Sequence, residues 1–285
     1  MADVDLVITQ PDRPSGRGKR LTESAVATAA SQFGFPIVKP ETKDELYATL
    51  ASGGYEFGLV VAFGRILTPE MIATTSRGFL NVHFSLLPRW RGPAPVERAI
   101  AAGDERTGVT LMMIDEGLDT GPVLGEIATP IGPTETGGSL TARLAFLGGT
   151  LVDDTTPDLL NGRRTPVPQL DANTTHASML SKREAQLDPS WSPERAERTI
   201  RAFQPRPGAW FALAEGTLKV HVARLGNTAT EPGQVVKDAG RVFAGFGGGS
   251  VELLTVQPAG KQPLPADAWM NGRRGEPATF AATPL

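Results

Sequence analysis

The chain has 285 residues, 40% of them apolar and 21% charged, with a formal net charge of −3, the balance of an ordinary globular protein of one large or two ordinary domains. It contains no cysteine, which excludes disulfides, thiol nucleophiles and cysteine-ligated metals, and no apolar run reaches the roughly 18 residues of a membrane span. The start, Met1-Ala2-Asp3-Val4-Asp5, is acidic and lacks the basic opening of a secretory signal, so a cytoplasmic protein is expected.

In chain order, Val4–Thr9 reads as a buried strand. Residues 10–20 follow as a Pro- and Gly-rich basic loop in which Arg13, Arg17, Lys19 and Arg20 concentrate charge; a solvated connection explains such a loop as readily as a binding one. Thr22 is placed to cap a helix over 23–33 that ends at Gly34. A short strand is expected at 36–38, a helix at 43–52 and a fully apolar strand at 57–63. The next strand contains Phe79, Leu80 and Val82. A helix over 94–102, a strand over 108–114, an edge strand over 126–131 and a helix over 137–160 complete this half. Apolar runs alternating with helices point to an α/β, Rossmann-like, mostly parallel sheet covered on both faces.

The polar, proline-bearing stretch 163–181 reads as a linker. Beyond it a helix starts at Ser192-Pro193-Glu194 and runs to about Arg201. Five short alternating runs then follow, at 210–214, 217–224, 233–237, 241–245 and 250–256, and they suggest a small β-barrel. The expected organisation is therefore a catalytic domain over 1–162, a linker over 163–181 and a barrel domain over 182–285. Residues 182–285 carry 13 Lys/Arg against 10 Asp/Glu, a mild basic excess that suits either a solvated surface or a nucleic-acid footprint.

Chemistry concentrates at Asn81-Val82-His83-Phe84-Ser85-Leu86-Leu87-Pro88. Side chains alternate along a strand, so Asn81 and His83 share a face at its end, and Pro88 cannot continue a ladder. A second polar cluster, Asp115-Glu116-Gly117-Leu118-Asp119-Thr120-Gly121, follows the strand at 108–114, and parallel pairing would set its acidic end beside the first. An Asp near His83 would favour the imidazolium and fix the ring, while the Asn81 amide donates to an oxygen gaining negative charge. Acyl transfer is the reaction class implied; a satisfied polar pair at a strand end is the plainer alternative. His176 reads as a surface residue, His221 as structural and Gly247-Gly248-Gly249 as a hairpin turn. No His/Asp/Glu group has ligand spacing, so no metal is expected.

Asn81-x-His83-x-Ser85-Leu86-Leu87-Pro88, with Arg91-Gly92 and, later, Leu118-Asp119-Thr120-Gly121, resembles the signature of the formyltransferases that use 10-formyltetrahydrofolate. Asn81 and Asp119 lie 38 positions apart, and the two halves are specific together, although either alone is weak. The similarity is greatest to the branch that formylates initiator methionyl-tRNA, and it extends from about Val4 to the C-terminus. It implies catalytic roles for Asn81, His83 and Asp119, with folate lined by Ser85, Leu86, Leu87 and Pro88 and the turn after residue 63 in the pocket wall. It also implies tRNA contacts through Arg13, Arg17, Lys19 and Arg20, with Arg17 foremost, and an OB-like, tRNA-binding C-terminal barrel. The cofactor implied is 10-formyltetrahydrofolate as formyl donor, with no metal; the partners are initiator methionyl-tRNA and folate, with no membrane and a monomeric chain.

Two departures stand out. The family begins with one more strand and a helix ahead of Val4, and that strand is central, so two unpaired sheet edges are expected here. Phe84 stands where a small residue is commoner, and it is expected to narrow the pocket. Three alternatives remain open at this point: a formyltransferase acting on a nucleotide-linked amino sugar, a hydrolase that frees formate from the same cofactor, and a catalytically impaired folate- or tRNA-binding paralogue.

Overall fold

In the computed structural model, residues 4–15 and 20–281 are described. They divide into two compact units: Met1–Pro88, Val109–Ile127 and Leu147–Asn173 form the first, and Arg89–Gly108, Ala128–Phe146 and Thr174–Leu285 the second.

The chain opens with β1 (Val7–Ile8), β2 (Arg13–Ser15), β3 (Arg20–Thr22) and α1 (Ala25–Phe33). The expected strand over 4–9 shrinks to two residues. The basic stretch is not merely a loop, because β2 and β3 pair antiparallel as a hairpin, Arg13 opposite Thr22 and Ser15 opposite Arg20. This is why Thr22 does not cap the helix: its backbone is spent on the hairpin, and Ser24 accepts from the Ala27 N–H instead. Next come β4 (Ile37–Val38) and α2 (Lys43–Ser52). Thr42 and Glu45 start α2 as a reciprocal capping box. Then follow β5 (Gly58–Val60), α3 (Pro69–Ile72) and β6 (Phe79–His83). Helix α3 was not expected, although Thr68 accepting from the Met71 N–H and Pro69 in the first turn are ordinary start signals.

After α4 (Pro95–Ala102), β7 (Arg106–Met113) and β8 (Val123–Pro130), the long α5 (Gly137–Leu160) completes this half. The strands lie in two sheets, β1–β4 and β5-β6-β7-β8. Pairs β1–β4 and β5–β6 are parallel, whereas β6–β7 is antiparallel. Among the described residues the end strands are β1 and β4 in the first sheet and β5 and β8 in the second. Leu59 and Val61 are 45% and 46% exposed, so this apolar run is not covered on both faces. Leu46, Leu50, Met71 and Phe79 form the core beneath, with Ile8, Val60 and Ile114 packed around them. Helix α5 approaches β6 so closely that a Cβ on Gly148 would press on Val82 at 2.8 Å.

The stretch 163–181 is tied to the folded units along its length. Val167 exchanges backbone hydrogen bonds with Val123, and the backbone of Arg91 bonds to Thr175 and Ala177.

In the second unit, α6 (Pro193–Ala202) packs on α4. The barrel strands are β9 (Trp210–Leu213), β10 (Gly216–Leu225), β11 (Gln234–Asp238), β12 (Arg241–Phe246), β13 (Gly249–Pro258), β14 (Leu264–Pro265) and β15 (Ala278–Thr279), with α7 (Ala266–Gly272) before the last. Their order is β15-β11-β12-β13-β10-β9, with β14 beside β13. A bridge between Leu213 and Phe280 joins the two ends, so the antiparallel sheet is nearly closed. Phe211, Phe246 and Phe280 cluster in its core, the rings of Phe211 and Phe280 lying 4.2 Å apart. Phe246 pairs with Gly249 across the β12–β13 turn, the hairpin expected at the triple glycine.

Glu252 on β13 is only 3% exposed. Its carboxylate accepts from Arg224 at 2.8 and 3.0 Å and from Arg241 at 3.0 Å, with a second, shorter contact to Arg241. These hydrogen bonds from Arg241 and Arg224 hold the carboxyl down at about 2, despite the opposing effect of burial. His221 sits with its ring nitrogens 2.9 Å from Gln257 Oε1 and 3.3 Å from Gln204 Nε2, a structural placement, and His176 is exposed.

Candidate active site

Strand β6 builds the site by alternation. Phe79 and Leu80 are buried at its start, and Val82 faces α5, which leaves Asn81 and His83 on the opposite face. The acid arrives by a different route from the one expected. Because β7 runs antiparallel to β6, Met113 lies opposite Leu80 and Thr110 opposite His83, so the end of β7 lies beside the beginning of β6. The loop after β7 must fold back, and its residues are suited to that reversal. Asp115 Oδ1 accepts from the Gly117 N–H at 3.0 Å and the Thr120 hydroxyl at 2.7 Å. A Cβ on Gly121 would strike the Met113 carbonyl oxygen, so the tight return admits only glycine.

Asp119 is delivered at φ 53°, in the left-handed region. Its Oδ1 lies 3.5 Å from Asn81 Nδ2 and its Oδ2 3.5 Å from His83 Nδ1. One carboxylate thus spans both side chains, and His83 is 5% exposed. The amide and ring present donors on one face, with the acid fixing their orientation. Such a set can stabilise negative charge developing on a carbonyl oxygen.

Ser85 and Leu87 are buried while Leu86 and Pro88 are half-buried, and the Leu87–Pro88 peptide is cis. Thr110 holds this segment from β7: its hydroxyl donates to the Ser85 carbonyl at 2.7 Å and accepts from the Leu87 N–H at 3.2 Å. Phe84 departs from expectation. Its ring lies 3.8 Å from where a Gly148 Cβ would stand, so it shares the Val82 face toward α5 and does not narrow the space beside Asn81 and His83.

Sequence reasoning missed two positioning residues. Thr110 was read only as part of a strand. Gln169, placed in the linker, donates to the carbonyls of Asp119 at 2.9 Å and Gly121 at 2.8 Å, clamping the loop that carries the acid. No local pattern in the sequence marks either; both act through tertiary contacts. Among the described residues, no three His, Asp or Glu side chains gather as a metal site requires.

Residues 1–155 match the family described as "Formyl transferase", and residues 179–274 match "Formyl transferase, C-terminal domain". A curated relative from Halorhodospira halophila, named methionyl-tRNA formyltransferase, is 44% identical over 281 residues, spanning 95% of this chain and 90% of its own. The chain belongs to the methionyl-tRNA formyltransferase family. Proteins of the same name from Streptomyces griseus subsp. griseus and Roseobacter denitrificans are 40% and 42% identical, over 95% and 98% of this chain and 89% and 90% of their own. The formyltransferase fold recurs in HypX from Aquifex aeolicus, solved with tetrahydrofolic acid, at a TM-score of 0.65 and 16% identity, over 85% of this chain and 43% of that one. It recurs again in an N-formyltransferase from Helicobacter canadensis, at 0.64 and 18%, over 86% of each chain.

Among the basic residues expected to meet tRNA in this formyltransferase chain, Arg13 and Arg20 are exposed on the β2–β3 hairpin. Arg17 and Lys19 lie outside the described residues. No helix among the described residues is long and apolar enough to cross a membrane.

Proposed function

We propose that this chain transfers the formyl group of 10-formyltetrahydrofolate to the α-amine of methionyl-initiator tRNA. The observation that carries the reading is the Asp119 carboxylate reaching both Asn81 and His83 at 3.5 Å. The relatives' names supply the acceptor.

The folate supplies a formyl carbon bound to N10. As the amine adds to that carbon and the bond to N10 breaks, the amine's proton ends on N10. Asn81 and His83 donate toward the formyl oxygen while it bears charge, and Asp119 holds them in register. Ser85, Leu86, Leu87 and Pro88 line the folate site. Leu118, next to Asp119 on the loop after β7, is exposed and offers apolar surface of the kind a flat ring system takes. Arg13, Arg17, Lys19 and Arg20 meet the tRNA, since guanidinium groups engage phosphate bidentately or stack on bases. Residues 1–162 form the catalytic domain, and 182–285 the tRNA-binding barrel joined to it through 163–181. The chain works as a monomer in the cytoplasm without a metal.

The test is an assay of the purified chain with 10-formyltetrahydrofolate and initiator tRNA, charged with methionine or uncharged. Formylation of charged tRNA alone is expected. Formyl transfer to a nucleotide-linked amino sugar, or formate release without an acceptor, would replace this reading.

A further inference from the structure

The β2–β3 hairpin that carries Arg13 and Arg20 is three residues deep on each side. Two strands of that length do not hold a fixed direction in water by themselves. What fixes the hairpin must therefore lie at its neck.

Asp12 immediately precedes β2 and Glu23 immediately follows β3. Between them sits Lys39, the residue after β4, whose ammonium donates to Asp12 Oδ1 at 2.6 Å and to Glu23 Oε1 at 2.8 Å. One cation thus ties together the two ends of the hairpin and fastens both to a sheet strand. The Lys39 amine is raised above its ordinary value, first by the hydrogen bond to Asp12 and then by that to Glu23, as a charge held between two acids should be. A second fastening runs toward β5: Gln10 Nε2 donates to the Phe63 carbonyl at 2.7 Å, and Gln10 Oε1 accepts from Arg13 at 3.2 Å. The hydroxyls of Thr9 and Ser24 meet at 2.8 Å on the same neck.

We propose that Lys39 is a positioning residue for tRNA recognition: by clamping Asp12 and Glu23 it sets the direction in which Arg13 and Arg20 are presented to the nucleic acid. The role rests on the tRNA-formylating reading above. It differs from direct phosphate contact in one respect that can be measured. Asp12 and Glu23 are negative charges beside a nucleic-acid site, so on charge alone their removal should tighten tRNA binding. If they are the clamp's other jaws, their removal should weaken it.

The experiment compares Lys39→Ala, Lys39→Arg and the double variant Asp12→Asn/Glu23→Gln in steady-state formylation, with backbone amide exchange measured over residues 11–23. For Lys39→Ala, the KM for charged initiator tRNA should rise about tenfold, the combined effect of two partly exposed ion pairs. Its kcat and its KM for 10-formyltetrahydrofolate should stay within about twofold of the unsubstituted chain. Exchange in the hairpin should quicken. Lys39→Arg should recover most of the loss, and the double variant should also raise the tRNA KM. An unchanged tRNA KM in Lys39→Ala, or tighter tRNA binding by the double variant, would overturn the proposal. If the unsubstituted chain formylates no tRNA, the functional reading fails and this role with it, whereas the exchange measurement still reports whether the clamp holds the hairpin.

Discussion

Asp119 and Glu252 make an instructive pair, because in each case one carboxylate reaches two partners and the outcome differs. Glu252 lies within a regular strand, meets two arginines at distances near 3 Å, and its carboxyl falls to about 2. Nothing in that network is left to tighten, so its output is stability of the barrel. Asp119 sits on a reversed loop with a left-handed backbone, held from behind by Gln169, and touches its partners at 3.5 Å. Here the backbone is fixed by the loop, and one carboxylate is shared between an amide and a ring. On the proposed reading, this acid orients two donors for charge that appears only during reaction.

The largest test of that contrast replaces Asn81, His83 or Asp119 with Ala. Each should lower kcat by about 10²–10³-fold while the thermal unfolding midpoint stays close to that of the unsubstituted chain. Wild-type turnover in Asp119→Ala would erase the distinction between the two acids. The reverse pattern is expected for Glu252→Gln, with turnover of the folded protein retained but about 2 kcal/mol of stability lost in urea unfolding. This allows for solvent screening at the half-exposed arginines. The same carboxylate sets an acid limit. Its folded value is lowered from 4.5 to about 2, so its contribution is complete above pH 4.5 or so and vanishes as pH falls toward 2. Barrel unfolding followed by tryptophan fluorescence should show that loss in the native chain and not in Glu252→Gln.

A smaller effect is expected from Gln169→Ala. Freeing the Asp119 and Gly121 carbonyls should cost about tenfold in kcat by misplacing the acid, with little change in KM for either substrate. The smallest belongs to Arg224→Met. Arg224 is mostly exposed and Arg241 remains on Glu252, so only a slight fall in the urea unfolding midpoint is expected, smaller than for Glu252→Gln.

The Asp119 side of this contrast was legible in the sequence, whereas the Glu252 side was not, because its arginines come from two other strands. Asn81 and His83 declare a shared face through strand alternation, and Asp119 stands out within a loop of acidic and glycine residues. The route by which the acid arrives was not legible, because a strand's direction depends on its neighbour and β7 turned out antiparallel to β6. Thr110 and Gln169 were hidden for a related reason: each acts on backbone groups far away in the sequence. Helices with explicit caps were readable, as at Thr42 and Ser192. The cap expected at Thr22 failed because the hairpin claimed that residue's backbone. Helix α7 and the short strands β14 and β15 carry little periodicity of their own, and the barrel holds them in place.

Phe280 gives the barrel a particular history during synthesis. Its ring rests against Phe211 and Phe246, and its backbone meets Leu213 across the closing seam. A chain emerging from the ribosome can fold the helices and strands around Asn81 while the barrel strands are still incomplete. The barrel seals only when this aromatic side chain has been released, so maturation of the C-terminal half is a late event, and nicking just ahead of Phe280 would unzip it.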